Sequence, residues 1–162
     1  MDIKCAGEIY DSLVNGPEMR YVLFTQGCIH HCEGCQNKHT WSINNGINIS
    51  INKIIKNIKK SPFIKGITIS GGEPFLQAES IYYLIKKIKD DSELSKLNIM
   101  IYTGYTLKEL KNMKNYYINN ILESIDYLVD GKFEKDKPTD KLYIGSSNQK
   151  IYDLKNNKEI EF

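Results

Sequence analysis

YVLFTQGCIHHCEGC, residues 21–35, governs how the rest of the chain is read. Its first part, Tyr21–Gln26, is a short apolar run with the composition of a buried strand. Its second part places three thiols, Cys28, Cys32 and Cys35, in eight positions of a chain with only four cysteines. Three is odd for disulfides and one short of a closed tetrahedral zinc site. The set leaves room for something else to complete a metal's coordination.

Outward from this stretch, apolar runs alternate with amphipathic segments. Ser50 is placed to cap a helix running to about Lys60 and ended by Ser61–Pro62. Lys65–Ser70 reads as a second strand. Ala78–Lys89 carries Ile81, Leu84, Ile85 and Ile88 at helical spacing. Asn98–Thr103 reads as a third strand, and Thr106 with Glu109 forms a capping box for a short helix. Ile118–Ser124 reads as helix and Tyr127–Val129 as a fourth strand. Leu142–Ile144 and Lys150–Leu154 read as two more, with Asn156–Asn157 turning the tail. The alternation implies parallel βα units in one domain, residues 1–162. A closed eightfold barrel needs about 250 residues. The expectation is therefore an α/β fold: an open, partial TIM-like barrel of about five or six mostly parallel strands with outer helices.

In such folds ligands lie at the carboxyl ends of the strands. There the sequence holds its least ordinary residues: GCIHHCEGC, then GGEP, GYT, DGKF and GSSN. Bulk properties exclude other classes. Net charge is +2, from 22 basic and 20 acidic residues, which is no electrostatic footprint for nucleic acid. No apolar stretch approaches the ~20 residues of a membrane span, and MDIKCAGEIYDS is no secretory leader. A cytoplasmic protein is expected, where clustered thiols point to metal or catalysis before disulfides.

Two metal centres suit the spacing Cys28-x3-Cys32-x2-Cys35. Adding His39 gives a Cys3His zinc site. A [4Fe–4S] cluster on three thiolates leaves one iron open to a small molecule. Spacing alone does not separate them.

The pattern resembles the radical S-adenosylmethionine superfamily, with cysteines after the first strand and Gly71-Gly72-Glu73-Pro74 after the second. The resemblance implies that the three thiolates hold a [4Fe–4S] cluster. It also implies that the glycine strip takes the methionine end of S-adenosylmethionine. Glycines there let backbone approach a ligand closely, and Glu73 either bonds the ligand's ammonium or holds the loop. In the superfamily the residue before the third cysteine is usually aromatic and near the adenine; here it is Gly34.

The longer string Gly27–Asn37 with Thr40-Trp41 is similar to the family of activating proteins of anaerobic ribonucleoside-triphosphate reductase, which has Gly at that place and usually an aromatic where Gln36 stands. Asn15-Gly16-Pro17, Arg20, Thr103-Gly104-Tyr105, Asp130-Gly131-Lys132-Phe133 and Gly145-Ser146-Ser147-Asn148-Gln149 extend the likeness. This resemblance implies reductive cleavage of S-adenosylmethionine and transfer of the radical to a glycine of the reductase, with a flavodoxin-like electron donor. The rival readings are an activase of a formate-lyase type enzyme and a zinc-stabilised adaptor without chemistry.

Other residues have plain readings. Cys5 is an ordinary near-terminal thiol. His30 and His31 serve as second-shell or solvent-facing groups, and Trp41 packs to close the loop. Thr103 and Tyr105 either meet the ribose or adenine, or cap a strand and pack. Asp130 and Asn148 orient ligand or loops, or shape turns. Lys53, Lys56, Lys59 and Lys60 form a solvated helix face.

Overall fold

A computed structural model describes the whole chain, Met1–Phe162. One sheet of eight strands runs through it, in the order β3-β1-β2-β4-β5-β6-β7-β8. The strands are β1 (Asp2–Ser12), β2 (Arg20–Thr25), β3 (Ile47–Ser50), β4 (Gly66–Gly71), β5 (Asn98–Tyr102), β6 (Tyr127–Asp130), β7 (Lys150–Asp153) and β8 (Lys158–Ile160). The helices are α1 (Ile51–Ile58), α2 (Ala78–Asp90), α3 (Leu107–Asn112) and α4 (Tyr116–Ser124).

The four central strands, β2, β4, β5 and β6, are parallel neighbours. The connections between them carry the helices. β1, β3, β7 and β8 are joined antiparallel at the two flanks. This corrects the expected strand count and the expectation of a mostly parallel sheet. The mixed α/β sheet is wider than five or six strands, and parallel pairing is confined to its centre.

Local chemistry explains the elements. The Ser50 side chain accepts a hydrogen bond from Lys53 N at 3.2 Å and starts α1, which buries Ile51, Ile54 and Ile58. Thr106 and Glu109 form both halves of the capping box that starts α3. α2 buries Ile81, Leu84, Ile85 and Ile88, each contributing roughly 1.5–3 kcal/mol by leaving water. These side chains meet Tyr21 and Leu23 of β2, Ile67 and Ile69 of β4, Ile99 and Ile101 of β5, and Leu128 of β6 in one core. All four helices contribute to this core, so they cover the same face of the sheet.

The other face carries the alternate residues of the same strands. Its amino end is fixed by Arg20, which is wholly buried. The guanidinium donates to Thr68 Oγ1 at 2.7 Å, Asn98 Oδ1 at 2.6 Å and the carbonyls of Pro17 and Ile67 at 2.9 Å. Burial pushes its pKa down to about 10, so it stays charged at neutral pH. At the carboxyl end Phe24, Ser70 and Tyr102 line an open trough of about 480 Å³. The two faces thus differ in kind: one is filled by helices, the other is left accessible next to the strand ends.

Three further differences from the sequence expectation have physical causes. The N-terminal strand β1 interrupts its alternation with irregularities at Cys5/Gly7 and Ile9/Ser12, which hide the period-two signal. β3 is four residues long and largely exposed. Leu142–Ile144 is not a strand: Tyr143 has a φ of 64°, which belongs to a turn.

Candidate metal and radical site

The thiol loop leaves β2 at Gly27, whose φ of 98° reverses the chain. Two backbone bonds close the loop on itself: Gly27 N to Thr40 O at 2.7 Å and Cys28 N to Trp41 O at 3.0 Å. Within it Cys35 N donates to Cys32 O at 3.1 Å, and Asn37 N donates to Cys35 Sγ at 3.3 Å. Cys28, Cys32 and Cys35 are free thiols, partly exposed, and all three line one cavity of about 150 Å³. Burial pushes the Cys28 thiol above its ordinary value, while hydrogen bonds from the His30 and His31 backbone draw it down. Cys5 does not join them. It sits buried in the core on β1, and desolvation lifts it to about 12.

The turn after β4 contributes to the same cavity. Gly71 and Gly72 both line it. Gly71 has a φ of 102°, and a Cβ there would lie 2.5 Å from Thr25 N. A Cβ on Gly72 would strike the carbonyl of Gly27. The two strand-end turns therefore lie backbone against backbone, joined by Gly72 N to Thr25 O at 2.9 Å and Glu73 N to Gly27 O at 2.7 Å. No residue with a side chain fits this seam.

Glu73 is engaged by three loops of the protein. It is wholly buried, and its carboxylate accepts from His30 Nε2 at 2.7 Å, Thr103 Oγ1 at 2.9 and 3.0 Å, Gly104 N at 2.9 Å and Phe75 N at 3.0 Å. It holds three loops together. Thr103 likewise lines the cavity but directs its hydroxyl to Glu73. Tyr105 packs edge-on against the His30 ring at 4.6 Å, and His31 stacks on Trp41 at 4.6 Å. His30 lines the cavity, whereas His31 is exposed and does not. His39 is not among the residues lining the cavity.

Gly34 has a φ of 79°, and a Cβ there would meet Lys135 Cβ at 3.2 Å and Phe133 Cε1 at 3.3 Å. The segment after β6 thus lies against the thiol loop. Lys135 also pairs with Glu33. Phe133 lines both the thiol cavity and the adjoining trough, and a Cβ on Gly145 would meet its other edge at 3.0 Å. An aromatic ring stands beside the loop, contributed by position 133 rather than position 34. The only hint of it in the sequence is the DGKF string itself.

DGKF and GSSNQ form one unit. Gln149 accepts from Gly145 N at 2.7 Å and Ser146 N at 3.2 Å, and donates to Gly131 O at 2.8 Å. Asn148 Nδ2 donates to Lys132 O at 2.8 Å, and Ser146 Oγ accepts from Glu134 N at 3.1 Å. Asp130 accepts from Leu107 N at 2.7 Å and ties the strap to α3; burial raises its pKa. Gln149 and Ser146 are thus the latch of the strap that carries Phe133. Gln36 lies in the trough, not in the thiol cavity.

Comparison with known proteins places the chain in a family. The family model described as a 4Fe-4S single cluster domain matches residues 14–152. A protein of Enterobacteria phage T4, named anaerobic ribonucleoside-triphosphate reductase-activating protein, is 37% identical over 144 residues, covering 86% of each chain. The Escherichia coli K12 protein of the same name is 36% identical over 150 residues, 88% of this chain and 94% of its own. The Vibrio cholerae one is 37% identical over 147 residues, 86% and 91%. Among solved structures, QueE from Escherichia coli aligns with a TM-score of 0.45 at 18% identity, over 65% of this chain and 52% of that one.

Proposed function

The chain belongs to the 4Fe-4S single-cluster family and, within it, to the anaerobic ribonucleoside-triphosphate reductase-activating proteins, and from that membership we propose that it generates the glycyl radical of such a reductase. The observation that carries the proposal is the common cavity of Cys28, Cys32, Cys35, Gly71 and Gly72 at the carboxyl ends of parallel strands. Three thiols without a fourth ligand, facing side-chain-free backbone, fit a [4Fe–4S] cluster that keeps one iron open. When bound, the cluster with S-adenosylmethionine supplies one-electron cleavage to methionine and a 5′-deoxyadenosyl radical, which takes a hydrogen atom from the target glycine.

The chain's own groups do the binding and shielding. Cys28, Cys32 and Cys35 act as ligands. Gly71 and Gly72 offer close approach to the methionine end of the ligand, and Gly34 leaves space that the Phe133 ring flanks. Glu73 and Thr103 act through the wall they hold in place, since their polar atoms are already engaged by protein. The trough beside the cavity, on the sheet face without helices, is where a glycine loop enters. In this reading the sheet is an open partial barrel, and residues 1–162 act as one catalytic domain in the cytoplasm. A flavodoxin-like donor supplies the electron. No helix is long and apolar enough to cross a membrane.

The test is anaerobic reconstitution with iron and sulfide, followed by assay of 5′-deoxyadenosine with and without the reductase. Product formation, stimulated by the reductase and accompanied by a glycyl signal on it, is the expected result. Tight zinc binding with no cluster would return the loop to a structural role.

A further inference from the structure

Four buried side-chain polar atoms lack a hydrogen-bond partner: Trp41 Nε1, Asn57 Oδ1, Ser61 Oγ and Asn148 Oδ1. Among these residues Trp41 alone lines the cavity of the three thiols. An indole nitrogen can only donate. Buried without an acceptor, it bears the full loss of its hydration with nothing in return.

Trp41 is not free to turn its donor to solvent. Its carbonyl accepts from Cys28 N at 3.0 Å, and its own amide donates to Lys38 O at 3.2 Å. Its ring stacks on His31 with planes 19° apart. The backbone bond sets residue 41 directly beside the first thiol, across the neck of the loop from it. Trp41 shares one cavity with the three thiols, so the sulfurs they would hold are acceptors that a loaded site adds beside the indole.

Resting on the cluster reading above, we propose that the Trp41 Nε1–H donates a hydrogen bond to a sulfur of the cluster held by Cys28, Cys32 and Cys35, and thereby raises its reduction potential. The physical reason is charge. Reduction adds an electron to sulfur-rich metal, so a donor aimed at sulfur stabilises the reduced state more than the oxidised one. Asn37 N already plays this part toward Cys35 Sγ at 3.3 Å from the backbone. Trp41 adds a side-chain donor, one that a substitution can remove. It is a positioning and tuning residue and forms no bond to the substrate.

The chain has one tryptophan, so indole-15N labelling marks a single atom. The labelled wild-type protein is reconstituted, reduced to the paramagnetic cluster and read by pulsed EPR without S-adenosylmethionine. A 15N coupling to the cluster is expected. In Trp41→Phe, which keeps an aromatic ring on His31 and removes the donor, the midpoint potential should move to a more negative value. A reduced cluster with no 15N coupling would overturn the inference and leave the activase reading standing. So would a coupling seen only after S-adenosylmethionine is added, which would assign the donor to that ligand, or an unchanged midpoint in Trp41→Phe. If that variant takes up no cluster, the labelled wild type decides alone. A wild-type chain that takes up no cluster removes both readings together.

Discussion

His30 Nε2 lies 2.7 Å from Glu73 Oε2, and this contact joins the thiol loop to the turn after β4. Glu73 has no exposed surface, and three other donors surround it, from Thr103, Gly104 and Phe75. Glu73→Gln would turn an NH2 group toward those donors. The expected cost is roughly 1–3 kcal/mol of apoprotein stability, the penalty of a buried unmatched polar group. Anaerobic urea denaturation of the apoprotein measures it. A loss under about 0.5 kcal/mol, well below that penalty, would mean that the network reorganises freely.

The seam between the strand-end turns admits no side chain. Gly72→Ala drives a methyl into the Gly27 carbonyl, and Gly104→Ala drives one into the His30 ring. Both should reduce iron retained after reconstitution, Gly72→Ala the more, because backbone yields less than an imidazole. Iron and sulfide analysis of the two variants gives the order.

Gln149→Leu removes the latch of the strap. Three hydrogen bonds are lost, and the Phe133 ring loses its fixed place beside Gly34. Stability should fall by about 1–2 kcal/mol, and amide exchange should quicken over residues 131–137 while α2 stays protected. Exchange that is equal in the variant and the wild type would show that the strap holds without Gln149.

Thiol chemistry should separate three cysteines from one. In the folded apoprotein Cys28, Cys32 and Cys35 should react with a thiol reagent, and Cys5 only after denaturation. The Cys5 thiol is held at about 12 against an ordinary 9.0, so the native state keeps a proton that the unfolded chain releases. Its contribution to stability is complete below pH 9 and is lost as pH rises toward 12. Cys5→Ala should flatten the fall of stability with pH in that window, whatever it does to stability at neutral pH.

Removing iron should leave the fold intact. None of the three candidate ligands belongs to the apolar core, which is built from the helices and one sheet face. Far-UV circular dichroism should stay unchanged on chelation, with cooperative unfolding retained. Collapse of the fold on chelation would point to a structural metal.

The parallel centre of the sheet was legible because strands buried on both faces read as unbroken apolar runs, as in Tyr21–Leu23 and Ile99–Ile101. The helices announced themselves through Ser50, Thr106–Glu109 and the Ile81–Ile88 spacing. The N-terminal flank was not legible, whereas β7 matches the strand expected at Lys150–Leu154. β1 breaks its period at irregularities, and β3 exposes Ile47 to solvent, so neither shows a buried face. The thiols and glycines stand in the sequence at the positions where the cavity uses them. Glu73's partners do not, because contacts between loops 30 and 43 residues apart leave no spacing signal. Phe133 is hidden for the same reason: its place beside Gly34 is settled by Gly145 and Gln149, more than 100 residues along the chain from the thiol loop.

The strap over the thiol loop has a consequence for biogenesis. The loop is synthesised before its latch, since Cys35 stands 114 residues ahead of Gln149. Until then Gly34 has neither Phe133 nor Lys135 against it. A chain whose strap is not yet latched therefore has its thiol loop uncovered on the side where Phe133 and Lys135 stand in the finished fold.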